Sequence, residues 1–103
     1  VEDAAEAIVL ASERYVKADP VNLGSGEEIS IRRLLERICA LTGYEGAVRW
    51  DASKPDGQPR RCLDTSRARA EFCWSARVGL EEGLKKTAEW FAEQAQRVSS
   101  VRA

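Results

Sequence analysis

The segment Lys54-Pro55-Asp56-Gly57-Gln58-Pro59-Arg60-Arg61 gathers the residue types suited to holding a multiply charged anion. A guanidinium offers parallel N–H donors that match two phosphate oxygens, a lysine adds a compact positive charge, and proline limits the backbone freedom of the loop carrying them. Asp56 offers an acceptor to a sugar or a base. From 54 to 69, Lys54, Arg60, Arg61, Arg67 and Arg69 outnumber Asp56 and Asp64, a local excess of three positive charges in a chain of net charge −1. On these residues alone a diphosphate site and a solvated basic loop balancing nearby carboxylates stand level.

Other candidates are weaker. Gly24-Ser25-Gly26 lies where a phosphate-cradling loop would lie, but the third glycine is missing and Glu27 and Glu28 follow, so it reads as a structural turn. Trp74 and Trp90 fall beside helix ends and apolar stripes, which favours packing over base stacking. With a net charge of −1 and a sequence pI near 5.6, nucleic acid is not an expected partner. The chain has no histidine, so neither a Ser-His-Asp relay nor a His-ligated metal can be built from it. Cys39, Cys62 and Cys73 show no Cys-x-x-Cys spacing and read as reduced, packed thiols of a cytoplasmic protein.

The elements that must position these residues follow from capping and periodicity. Asp3 and Glu6 form a capping-box pattern ahead of a run free of Gly and Pro from Ala4 to Val16, which predicts a first helix. The consecutive apolar residues Ala7 to Ala11 imply burial on more than one side of it. Val21-Asn22-Leu23 and Ala47 to Trp50 read as short strands flanking a helix, capped by Ser30 and ended by Gly43, with an apolar stripe of Ile31, Leu34, Leu35, Ile38 and Leu41. The expected fold is therefore α/β (α+β), a small mixed domain with a parallel, right-handed strand-helix-strand unit over 21–50 and flanking helices. Residues 51–63 form a long loop, Asp64-Thr65-Ser66 opens a short helix to about Phe72, and a last helix starts at Leu80 with Leu84, Ala88, Phe91 and Ala95 on its apolar face.

The 103 residues, 44% hydrophobic and 32% charged, suit one small globular domain, with residues 98–103 a frayed tail. No apolar run reaches the ~18 residues of a membrane span. The start at Val1 rather than Met reads as a piece of something longer, with no signal peptide ahead of it.

Taken together, Val1-Glu2-Asp3-Ala4-Ala5, Val21-Asn22-Leu23-Gly24-Ser25-Gly26-Glu27-Glu28-Ile29-Ser30-Ile31, Trp50 to Arg61, Leu63-Asp64-Thr65-Ser66-Arg67-Ala68 and Leu80-Glu81-Glu82-Gly83-Leu84 resemble the C-terminal, substrate-binding part of extended short-chain dehydrogenase/reductases, the NAD-dependent epimerase/dehydratase family. Within it, the Lys-Pro-Asp-Gly-x-Pro-Arg loop looks most like that of the GDP-L-fucose synthases. The resemblance implies that residues 1–97 are a substrate-binding lobe whose basic loop closes on a nucleotide-diphosphate sugar, a GDP-sugar favoured, with Lys54, Asp56, Arg60 and Arg61 as contacts. It implies NADP(H) or NAD for the parent enzyme but no cofactor site in this chain, because the Gly-rich loop and the Tyr-x-x-x-Lys pair belong to a Rossmann part. Tyr15 and Tyr44 are followed at the fourth position by Asp19 and Val48. Partners implied are that Rossmann part and a second copy of the enzyme. The rival reading is a non-catalytic helical assembly module derived from such an enzyme. Members of the family usually carry glycine where Cys73 stands and often serine where Gly79 stands.

Overall fold

Ser30 sits in extended backbone and its hydroxyl accepts the Arg33 N–H at 3.2 Å, starting a helix that Gly43 ends at φ 68°. The Tyr44 N–H then reaches back to the Cys39 carbonyl at 3.0 Å, the six-to-one closure that a left-handed residue permits. This helix, α2 (Ile31–Thr42), follows α1 (Glu2–Arg14) and precedes α3 (Ser66–Phe72) and α4 (Leu80–Arg102). The structure is a computed structural model describing residues 1–102, and these four helices are its regular elements.

No strand occurs among the described residues, which overturns the α/β expectation: the fold is all-helical with long irregular connections. A strand persists only when a neighbour satisfies its N–H and C=O groups. Neither Val21–Leu23 nor 47–50 finds a ladder partner among the described residues, so each remains irregular. The apolar character of the first run has a different cause: Val21 and Leu23 pack as side chains on the hydrophobic core.

The chain divides into two compact units, one of residues 1–28 and 51–79, the other of residues 29–50 with the helix beginning at Leu80. In the first, α1 packs on α3 around Ala7, Ala68, Phe72 and Trp74, joined at the edge by Leu10, Ala11 and Tyr15. Tyr15 meets Phe72 edge to face with ring centroids 6.0 Å apart. Asp3 does not cap α1, whose first residue is Glu2. Its carboxylate instead accepts the N–H groups of Arg77 (3.1 Å) and Val78 (2.9 Å), and its carbonyl accepts the Trp74 indole N–H at 3.0 Å. One residue thus ties the start of α1 to the segment leaving α3. The carboxyl of Asp3 is held below the ordinary aspartate range, chiefly by the Val78 N–H.

In the second unit α2 packs on α4, with Leu34, Leu35 and Leu41 half-buried. Ile31 and Ile38 of the expected stripe are exposed, as are Trp90 and Phe91, and no side chain among the unit's described residues is fully buried. Arg37 and Glu81 approach to 3.5 Å across the helix pair, and Arg32 lies over the Trp50 ring at 5.2 Å. Helical structure continues through 98–102, where a frayed tail was expected, and Ala103 lies outside the described residues. Among the described residues no helix is long and apolar enough to cross a membrane.

Candidate functional site

The basic loop lies wholly in the first unit and is shaped by an aspartate at each end. Asp51 Oδ1 accepts the Ser53 hydroxyl at 2.6 Å and the Ser53 N–H at 3.0 Å, so the chain turns as it enters. Asp64 Oδ1 accepts the Ser66 N–H at 2.9 Å and starts α3. Both carboxyls are lowered from the ordinary range, Asp51 mainly by the Ser53 hydroxyl and Asp64 mainly by the Ser66 N–H. They stay ionised near neutrality and spend their charge on holding the loop ends.

The second half of the loop lies along the glycine turn. Gly24 backs onto Leu63, whose Cδ1 would stand 3.6 Å from a β-carbon at Gly24. The Cys62 thiol donates to the Gly26 carbonyl at 3.4 Å, and Gly26 itself has φ +76°, a conformation other residues adopt at a cost. Arg60 closes the series by donating through Nε and Nη2 to the two carboxylate oxygens of Glu28, the second at 2.9 Å. Partner numbers rise along one segment as they fall along the other, 24 to 63, 26 to 62 and 28 to 60. The Arg60 contact lowers the Glu28 carboxyl, and Glu28 in turn raises Arg60.

Of the four expected contact residues, Arg60 is therefore committed to an ion pair. Lys54, Asp56 and Arg61 are exposed, and their side chains have no hydrogen-bond or ion-pair partner among the described residues. An open depression of about 380 Å³ is lined by Arg60, Cys62, Leu63 and Asp64. The structure thus brings Arg60 to a concavity and leaves Lys54, Asp56 and Arg61 on the loop surface. Arg67, counted with the basic excess, donates to the Pro20 carbonyl at 2.7 Å. In the sequence Glu28 shows only as a charge that would repel a pyrophosphate. Its pairing across 32 residues has no local signal, and only the facing of an acidic Glu27-Glu28 pair with a basic Arg60-Arg61 pair hinted at it.

The cysteines do not all pack as expected: Cys39 is half-buried, whereas Cys62 and Cys73 are exposed, and all three are free thiols. Among the tryptophans, Trp74 is 3% exposed and belongs to the core, but Trp90 is 60% exposed. The glycine turn does not fit a dinucleotide pyrophosphate. Its outgoing residues are two glutamates, one of them locked to Arg60, so no step through a nicotinamide cofactor is derived from this chain.

No family model matches the chain, and no solved structure matches it. Curated proteins do. It is 42% identical over 91 residues to GDP-L-fucose synthase 1 of Arabidopsis thaliana, covering 88% of this chain and 28% of that protein. It is 43% identical over 77 residues to GDP-L-fucose synthase of Escherichia coli, covering 75% and 24%. It is 33% identical over 94 residues to GDP-L-colitose synthase of Yersinia pseudotuberculosis, covering 90% and 30%. The chain spans about a quarter of the length of these relatives. Identity at this level over most of the 103 residues goes well beyond the shared loop motif, and the chain belongs to the GDP-L-fucose synthase family as the counterpart of one segment of its members.

Proposed function

We propose that this chain is the nucleotide-sugar-binding lobe of an NAD(P)-dependent epimerase/reductase of the GDP-L-fucose synthase type, binding the diphosphate of a GDP-sugar through the 54–61 loop. The observation that carries the reading is the loop itself: Arg61 is an unpaired guanidinium beside an Arg60 already fixed by Glu28, with Lys54 and Asp56 also free. Such a loop supplies paired, charge-assisted donors to phosphate oxygens, with Asp56 as an acceptor for the sugar or base. Relatives named for GDP-L-fucose and GDP-L-colitose synthesis favour guanine as that base. The chain binds and orients, while hydride and proton transfer belong to an NADP(H)- or NAD-binding Rossmann part of the parent enzyme. Three free thiols suit a reducing compartment, and we assign the protein to the cytoplasm.

Ligand-observed magnetic resonance with GDP, GMP and guanosine tests the reading. The expected order of affinity follows phosphate number, with a dissociation constant for GDP of about 1 mM or weaker, because an isolated lobe lacks the preorganisation of a complete cleft. Arg61→Ala weakens GDP about tenfold, the loss of one charge-assisted pair, and Arg97→Ala on α4 leaves it unchanged. Equal binding of guanosine and GDP, or equal effects of the two substitutions, contradicts the assignment.

A second reading is favoured by exposed apolar side chains. Ile8 and Val9 on α1 are 64% and 54% exposed, and Trp90 and Phe91 on α4 are 60% and 67% exposed. Such surfaces suit an assembly module, and they suit equally a lobe that docks on the rest of an enzyme or on a second copy. A chain that self-associates but shows no nucleotide binding would favour the assembly module.

A further inference from the structure

Glu28 sits where it can either help or hinder the basic loop. As a carboxylate beside the candidate diphosphate site it is a competitor for Arg60, and removing it would free a guanidinium for the ligand. The contacts around it argue the opposite. Arg60 gives Nε and one Nη to both oxygens of Glu28, so its planar fork is occupied along one edge. That pair is the outermost of three contacts in one register, beyond Cys62 to Gly26 and Leu63 beside Gly24. Released from it, residues 60 and 61 would keep only the thiol contact and the Leu63 packing to hold them on the turn. Arg61, the neighbouring guanidinium, has no partner of its own among the described residues.

We infer that Glu28 is a positioning residue of the loop: through the Arg60 guanidinium it pins residues 60–63 against the 24–28 turn and leaves Arg61 as the guanidinium that meets the ligand. The two adjacent arginines then have different work, Arg60 as a strut and Arg61 as the anion contact. This rests on the reading of the loop as a diphosphate site. The physical gain is preorganisation, since a loop already ordered loses less freedom when the ligand arrives. An exposed ion pair contributes little to the stability of the whole chain, so its loss acts on the loop and spares the fold.

The inference fixes the sign of an experiment that simple electrostatics reverses. Glu28→Gln adds one unit of positive charge beside the anion site, which by Coulomb attraction alone tightens GDP binding. If Glu28 positions the loop, the same change weakens binding about three- to fivefold, the worth of a favourable exposed pair. The experiment is a GDP titration of the isotope-labelled 103-residue chain, followed by amide shifts, for wild type, Glu28→Gln, Arg60→Glu and the exchanged double variant Glu28→Arg with Arg60→Glu. Helix content by circular dichroism is expected to match across the set.

Weakening in both single variants, faster amide exchange at residues 60–63, and recovery to within about twofold in the exchanged variant, whose net charge is that of wild type, support the inference. Tighter binding by Glu28→Gln makes Glu28 a competitor and overturns it. An exchanged variant as weak as Arg60→Glu alone makes Arg60 itself the ligand contact and also overturns it, with the diphosphate reading intact because the wild type still binds. Absence of GDP shifts in the wild type overturns the diphosphate reading, and the positioning role falls with it.

Discussion

Cys73→Gly is expected to stabilise the chain, although it deletes a side chain. Cys73 ends α3 at φ 54° and ψ 32°, the left-handed region, and among the described residues it is the one non-glycine with positive φ. The conformation is imposed by the helix end: the Cys73 N–H returns to the Ala68 and Arg69 carbonyls, and the Trp74 N–H reaches the Ala68 carbonyl at 3.2 Å. Trp74 must then enter the core at once, so the corner has no slack. Holding a β-carbon in this region costs about 1–2 kcal/mol. Glycine removes that cost but adds about 0.5–1 kcal/mol of unfolded-chain freedom, leaving a net gain of about 0.5–1 kcal/mol. The thiol is exposed and takes no packing with it. Urea denaturation followed by helix content measures the midpoint, with Cys73→Ala as the control that keeps the β-carbon and loses the sulfur. The glycine variant should unfold at higher urea with an unchanged slope, and the alanine variant should match wild type within about 0.5 kcal/mol. A glycine variant less stable than wild type, or an alanine variant that gains as much, would refute the strain argument.

Phe72, 1% exposed, fills the centre of a core of four buried residues, so Phe72→Ala should cost about 3 kcal/mol, most of the stability of so lightly packed a chain, read as a lost or much lower urea midpoint. Acid should destabilise the fold in part through Asp3: its folded carboxyl lies below the ordinary 3.8, so its contribution is complete above that pH and is lost as pH falls through the lowered value. Thermal melts should therefore show a shallower loss of stability between pH 4 and pH 2 for Asp3→Asn, which is also less stable than wild type at neutral pH. The exposed apolar residues on α1 and α4 should drive concentration-dependent association, visible by light scattering and reduced by Ile8→Lys or Phe91→Lys.

The helices were legible because their signals are local. Ser30 and Gly43 bracket α2 as cap residues must, and Asp64 opens the turn into α3. The strands were misread because a three-residue apolar run such as Val21-Asn22-Leu23 records burial, not the neighbour that would complete a ladder. Asp3 was misassigned for a related reason. A cap and a distant backbone clamp use the same carboxylate, and only the approach of residues 77 and 78 decides between them. At the site, residue types single out the cations of one loop, but the pairing that sets Arg60 apart from Arg61 depends on Glu28, which is 32 residues away in sequence.

The measurement that bears most directly on the account is a GDP titration of the labelled chain with assigned amides. Saturable shifts confined to residues 51–67 and to the turn at 24–28, and abolished or much weakened by Arg61→Ala, are the predicted result. Shifts spread evenly over both helical units, or none at tens of millimolar GDP, would show that these cations form a solvated basic loop and that the lobe does not hold the diphosphate.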